Sequence, residues 1–274
     1  MRNKLIAGVA AGAIAALGVA LPANAISDTS ADLYVLHAVP DTIVDVYVDG
    51  DLTLDDFEPG TLTDPLDLPA GDYVVAITAS DAASADDAII GPITLTLEAN
   101  TSYTAVAHLD ADGAATASLF TNDLSTTAAG EGRLTVRHTA AAPAVDVLAN
   151  GAVAFENLSN PDEVKADLAV GTISATVAAN GTTDPVIGPA DVTIAEGVNT
   201  IVYAWGSLED DNLDLAVQTI GGLHSNPGGV DAGTAGLAAD SNNGALIGGL
   251  GALAALLALA GFAATRLTGA RASK

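Results

Sequence analysis

Four histidines, His37, His108, His138 and His224, are the side chains in this sequence best suited to proton transfer or metal ligation near neutral pH. They do not cluster. His37 and His138 occupy matching contexts, Leu33-Tyr-Val-Leu-His37 and Leu134-Thr-Val-Arg-His138, which reads as one structural duty performed twice. Strand alternation puts Leu134, Val136 and His138 on one face and Thr135 and Arg137 on the other, so His138 points to a core or its rim. The same alternation places Asp45 and Asp146 on a polar face. A second group is carboxylate: Asp49, Asp51, Asp55, Asp56 and Glu58 crowd around a turn. Calcium takes such oxygen ligands. The spacing departs from the D-x-[DN]-x-[DN]-G loop, which leaves the five as weak metal candidates beside the plainer reading of a solvated turn.

Other chemistries lack their residues. There is no cysteine, hence no disulfide, thiolate nucleophile or Cys-type zinc site. No G-x-S-x-G, H-E-x-x-H or phosphate-cradling glycine loop occurs. No catalytic or cofactor-binding residue is assigned, calcium is the one cofactor considered, and the chain reads as a non-enzyme. Trp205, the single tryptophan, falls in an expected strand and reads as core rather than as a sugar platform.

The 274 residues carry 8 Lys+Arg against 34 Asp+Glu, a formal charge of −26. Such a balance excludes nucleic acid as a partner, because phosphate binding needs clustered cations. Five of the eight bases lie at the two ends, and residues 26–132 contain none.

The ends read as addresses. Arg2 and Lys4, the apolar run Leu5–Leu21, Pro22 and Ala23-Asn24-Ala25 make a secretory signal peptide over 1–25. Residues 245–264 are uncharged and, as a helix, would span about 30 Å, one bilayer core. Arg266, Arg271 and Lys274 follow in a basic tail, 265–274, that the positive-inside rule keeps cytoplasmic. The expected address is therefore the cell membrane, single-pass, with the N-terminal ectodomain outside. An apolar segment with a basic tail also resembles a Gram-positive sorting signal. Leu237-Ala238-Ala239-Asp240-Ser241 keeps its Leu-Ala but lacks Thr-Gly, so sortase-mediated wall anchoring stands as the alternative.

Between the ends lies an internal repeat. At a constant offset of 101, seven of the 18 positions from Leu33 to Gly50 are identical in the second copy. Ile90-Gly91-Pro92 pairs with Ile187-Gly188-Pro189. The repeats span 32–122 and 133–220, and a glycine-rich tether follows over 221–244. Each repeat reads as six or seven short strands with turn signals between them. One helical turn is expected near Asn160-Pro161-Asp162-Glu163. The expected fold is all-β: two tandem Ig-like β-sandwich domains, with the signal peptide before them and one transmembrane helix after.

His37-Ala-Val-Pro-Asp41 followed by Val44-Asp-Val-Tyr-Val-Asp-Gly50 resembles the bacterial secreted domain of unknown function 4397 (DUF4397), whose hallmark is HAxPDxP-VDVYVDG. Ile43 stands where the family has its second proline. The second repeat keeps His138, a displaced Pro143 and Val145-Asp146-Val147, as a divergent copy would. The resemblance implies a cell-envelope β-domain and no activity. Together these features give a membrane-anchored envelope protein acting as a non-catalytic binding or structural surface module, its partner an envelope protein or polymer. A passive acidic spacer and a metal-assisted envelope hydrolase are the alternatives.

Overall fold

A computed structural model of the protein describes residues 26–224. The expected signal peptide, membrane segment and basic tail, and all but the first residues of the tether, lie outside that range. Among the described residues no helix is long and apolar enough to cross a membrane.

The described residues hold sixteen strands and one 3-10 turn, Ala85–Asp87. The first half contains β1 (Ser30–Ala38), β2 (Val44–Val48), β3 (Asp51–Phe57), β4 (Leu66–Pro69), β5 (Gly71–Ala79), β6 (Ile90–Leu97), β7 (Thr101–Leu109) and β8 (Ala115–Thr121). The second half contains β9 (Glu131–Ala141), β10 (Val145–Ala149), β11 (Ala152–Leu158), β12 (Glu163–Ala169), β13 (Gly171–Ala179), β14 (Pro185–Ile194), β15 (Asn199–Ser207) and β16 (Asp214–Ile220). Each half thus has eight strands rather than six or seven. The edge strands β4 and β12 are short or carry small apolar residues, Leu66 and Leu68 in one and Val164, Ala166 and Leu168 in the other, half-buried and alternating with exposed ones. No helical turn forms at Asn160. Its side-chain amide instead donates to the carbonyls of Leu109 and Ala140, tying one half to the other.

The strand orders of the halves match. The first has sheets β4-β1-β7-β8 and β3-β2-β5-β6, the second β12-β9-β15-β16 and β11-β10-β13-β14. In each half one pair is parallel, β1 with β7 and β9 with β15. Parallel strands favour burial on both faces, and these four are mostly buried along their length. The reason is a third core. Val44, Val75 and Leu95 of one sheet pack with Ala107 and Leu109 of its partner in the first half. Val147, Val177 and Val192 pack with Val136 and Val202 in the second. Leu36, Val106 and Phe120 then meet Ile201, Tyr203 and Trp205 between the halves. The result is four stacked β layers with three apolar seams.

The central seam also holds a polar network. Arg137, fully buried, donates to Glu163 (2.9 Å), Tyr203 Oη (2.7 Å) and Asn122 Oδ1 (3.1 Å). Its guanidinium lies 4.5 Å from the Phe120 ring centroid, within cation–π range. Tyr203 donates to Gln218 Oε1 at 2.6 Å. Arg133, Arg137 and Lys165, the three Lys and Arg residues within 26–224, are all ion-paired. Burial works to raise the pKa of Asp123. Hydrogen bonds from Ser125 and Lys165, with the Arg133 charge, overcome it and hold Asp123 down to about 2.

Candidate functional site

The repeated histidines are bound into the backbone. His37 Nε2 lies 2.7 Å from Thr42 O and His138 Nε2 lies 3.1 Å from Pro143 O. A carbonyl only accepts, so Nε2 carries the proton in both. Nδ1 then accepts from the amide of Val39 (3.5 Å) or Ala140 (3.3 Å). Each ring thus closes the loop between the first two strands of its half. His108 is held as well, its Nδ1 to Leu109 O at 2.8 Å and its Nε2 to Ser118 Oγ at 2.9 Å. Burial pushes all three below the ordinary value of 6.5, which favours neutral imidazole.

The aspartates of the Val-Asp-Val motifs correct the sequence expectation. Asp45 and Asp146 stand on the face opposite the core valines, as alternation has it, but are buried there, at 3% and 4% exposure. A β-bulge in the neighbouring strand supplies the partner of each carboxylate. Val44 pairs with Phe57 but Val46 with Leu54, so two residues of β3 oppose Asp45. The bulged residue Asp56 has φ +49° and its amide leaves the ladder; Asp45 Oδ1 accepts that amide at 2.9 Å. The second half repeats the device. Asn157, φ +56°, donates to Asp146 Oδ1 at 2.9 Å, and Gly181 N donates to Oδ2 at 2.8 Å. Asp49-Gly50 and Asn150-Gly151 are likewise equivalent hairpin turns with φ positive at every residue. Their side chains accept the amides of Val74 and Ser174.

The five weak metal candidates scatter. Asp49 is the turn residue just described. Asp51 opens β3, and Glu58 follows it; both are exposed. Residues 51–57 form a strand, not a turn, because Leu52, Leu54 and Phe57 pair with β2 across the bulge. Only Asp55 and Asp56 come together, and the third member of their group is Asp45, which sequence alternation had set aside. One oxygen from each lies within 4.8 Å of the others. The Asp55 charge, then partial desolvation and the charges of Asp81 and Asp45, push Asp56 above the usual carboxylate range. One oxygen from each of Asp45, Asp55 and Asp56 would supply three of the 6–8 that calcium takes.

The interiors of the halves differ. The first encloses a cavity of about 260 Å³ between its sheets, the second one of about 30 Å³. Sequence periodicity carries no signal for this difference, since both halves alternate alike.

The class these features define is an all-β protein of stacked sheets, with a histidine-closed loop and an aspartate-capped bulge in each half. Residues 31–148 match the model of a family described as domain of unknown function (DUF4397). The match supports the family to which the hallmark pointed, and it runs from β1 into β10, across the connector. No curated protein matches the chain.

Proposed function

We propose that the chain is a membrane-anchored extracellular cell-envelope protein whose residues 26–224 act as a non-catalytic binding or structural surface module. One observation carries this reading. The residues with chemical potential that recur in both halves, the loop histidines and the bulge aspartates, are each hydrogen-bonded to backbone groups of their own frame. Side chains so engaged serve the frame rather than a substrate. Exposed, variable loops on a rigid β frame are the usual recognition surface.

The halves are further read as two Ig-like sandwich copies, the second divergent. Matching strand orders, bulges and Gly-Pro bends support this. At Gly91 and Gly188 a Cβ would stand 2.7 and 2.8 Å from the carbonyl oxygens of Val75 and Ala175, so both copies need glycine there. Topology rests on the sequence of the two ends. Protease applied to intact cells should release a fragment close to 26–220, and recovery of that fragment from cytosol would refute the reading. Crosslinking on intact cells then separates module from spacer. A reproducible heterologous partner supports the module; self-crosslinks alone support a passive acidic spacer.

A further inference from the structure

We propose that the first half binds an uncharged apolar molecule, or the single hydrocarbon chain of a neutral amphiphile, inside its core. The site stands independently of the topology proposed above, because it needs only the folded first half.

Size comes first. An engineered apolar cavity of about 150 Å³ stays dry and binds benzene, and the first half offers about 260 Å³. Shape and access come next. The lining includes both edge strands on one side, with Asp51, Thr53 and Leu54 of β3 and Leu66 and Leu68 of β4. In the second half the corresponding edges, β11 and β12, approach one another more closely, and no β12 residue lines the small cavity. Leu52 stays 48% exposed on the β3 edge.

The wall is apolar by composition, and its one histidine is engaged. His37 Nε2–H donates to Thr42 O, so it offers a ligand no proton. Thr53, Tyr73 and Ser118 of the lining are hydrogen-bonded as well, so away from Asp51 at the edge the wall penalises a buried polar group. Charge narrows the class further. Residues 26–122 carry 18 acids and no lysine or arginine. The three Lys and Arg residues within 26–224 belong to the second half and are ion-paired. A carboxylate or phosphate headgroup would meet Asp51 at the edge and an acidic field beyond it.

The second half shows what filling this space requires. Strand registers equate Leu54 with Phe155, Ala105 with Val202 and Ala117 with Leu215. At each position the second half has the larger side chain, and Phe155, Val202 and Leu215 all line its small cavity. At Val75, Ile77 and Leu95 the first half has the larger side chain against Ala175, Val177 and Val192, so the room lies on the Leu54, Ala105 and Ala117 side, toward the more widely separated edges.

The test is photolabelling of the full-length protein with 3-trifluoromethyl-3-phenyldiazirine, an uncharged aryl carbene source, followed by peptide mapping. Peptides covering 33–54 and 66–119 should carry about tenfold more label than their counterparts in 134–155 and 166–217, as a tenfold affinity difference gives. Excess decanol should suppress that label and decanoate should do so less. The triple variant Leu54→Phe, Ala105→Val, Ala117→Leu should abolish the preference while keeping a cooperative thermal transition. If the triple variant fails to fold, Ala117→Leu alone should reduce the label. Equal labelling of both halves, label unmoved by filling, or decanoate competing as well as decanol would overturn the proposal.

Discussion

The two halves share a backbone plan and differ in what fills it. Identical bulges, hairpin turns and histidine-closed loops set the same strand order twice. On that plan Leu36, Val106 and Phe120 of the first half correspond to Arg137, Tyr203 and Gln218 of the second. The central seam is thus an apolar trio facing a polar one, with Arg137 stacked on Phe120. The cores diverge in the opposite sense, the first roomy and the second filled. Backbone-capping residues fix the frame, and single-face side chains are left to decide what each layer does.

The largest expected break in that comparison is at Arg137. Replacing it by Met removes the charge that Glu163, Tyr203 and Asn122 share. Loss should be about 3 kcal/mol, the low end for a broken buried pair, because Glu163 retains some contact with water. Leu36→Met, at the equivalent place, should cost under about 1.5 kcal/mol. Thermal denaturation of both variants checks the contrast, and equal losses would refute the asymmetric seam.

The bulge aspartates should separate next. Asp146→Ala gives up two amide bonds and Asp45→Ala one. At about 1.5 kcal/mol or more per charged hydrogen bond, Asp146→Ala should cost about 3 kcal/mol. Asp45→Ala should cost about half that, further offset by relief of repulsion with Asp55 and Asp56. Urea midpoints measure both.

Core substitutions should then have opposite signs. Leu215→Ala should destabilise by about 2 kcal/mol, since it opens a packed core. Ala117→Leu, its mirror, should stabilise by about 1 kcal/mol, since added methylenes enter existing space. A loss in both directions would mean that the first core has no room.

Acid should act on both halves. His37, His108 and His138 are held neutral by burial, below 6.5. As pH falls through about 6.5 the unfolded chain takes up protons that the folded chain refuses. Stability is therefore full above that pH and declines below it. A urea midpoint that does not drop between about pH 7.5 and 5.5 would contradict the burial of these rings.

Much of the frame was legible because its signals are local. The Asp49-Gly50 turn and the Val-Asp-Val strand need only neighbouring residues. Burial of His138 followed from alternation with Leu134 and Val136. The burial of Arg137 did not, because its face looks polar until a second sheet covers it. The burial of Asp45 was not legible because alternation fixes only its face, opposite Val44 and Val46, and cannot register the bulged Asp56 of the neighbouring strand that caps it there. The edge strands β4 and β12 were missed although they alternate, because Leu66 and Leu68 are only two residues and Val164, Ala166 and Leu168 are interrupted by Lys165 and Asp167 in a charged stretch. The cavity was invisible because it depends on Ala105 and Ala117 facing Leu54 across the core, contacts that no sequence window contains.

The most direct test of the asymmetry between the halves is diffraction from xenon-pressurised crystals of the protein. Xenon enters dry apolar cavities and reports their position. The account predicts a xenon site bounded by Leu54, Ala105 and Ala117 and none at Phe155, Val202 and Leu215. Xenon in the second core, or in neither, would contradict it.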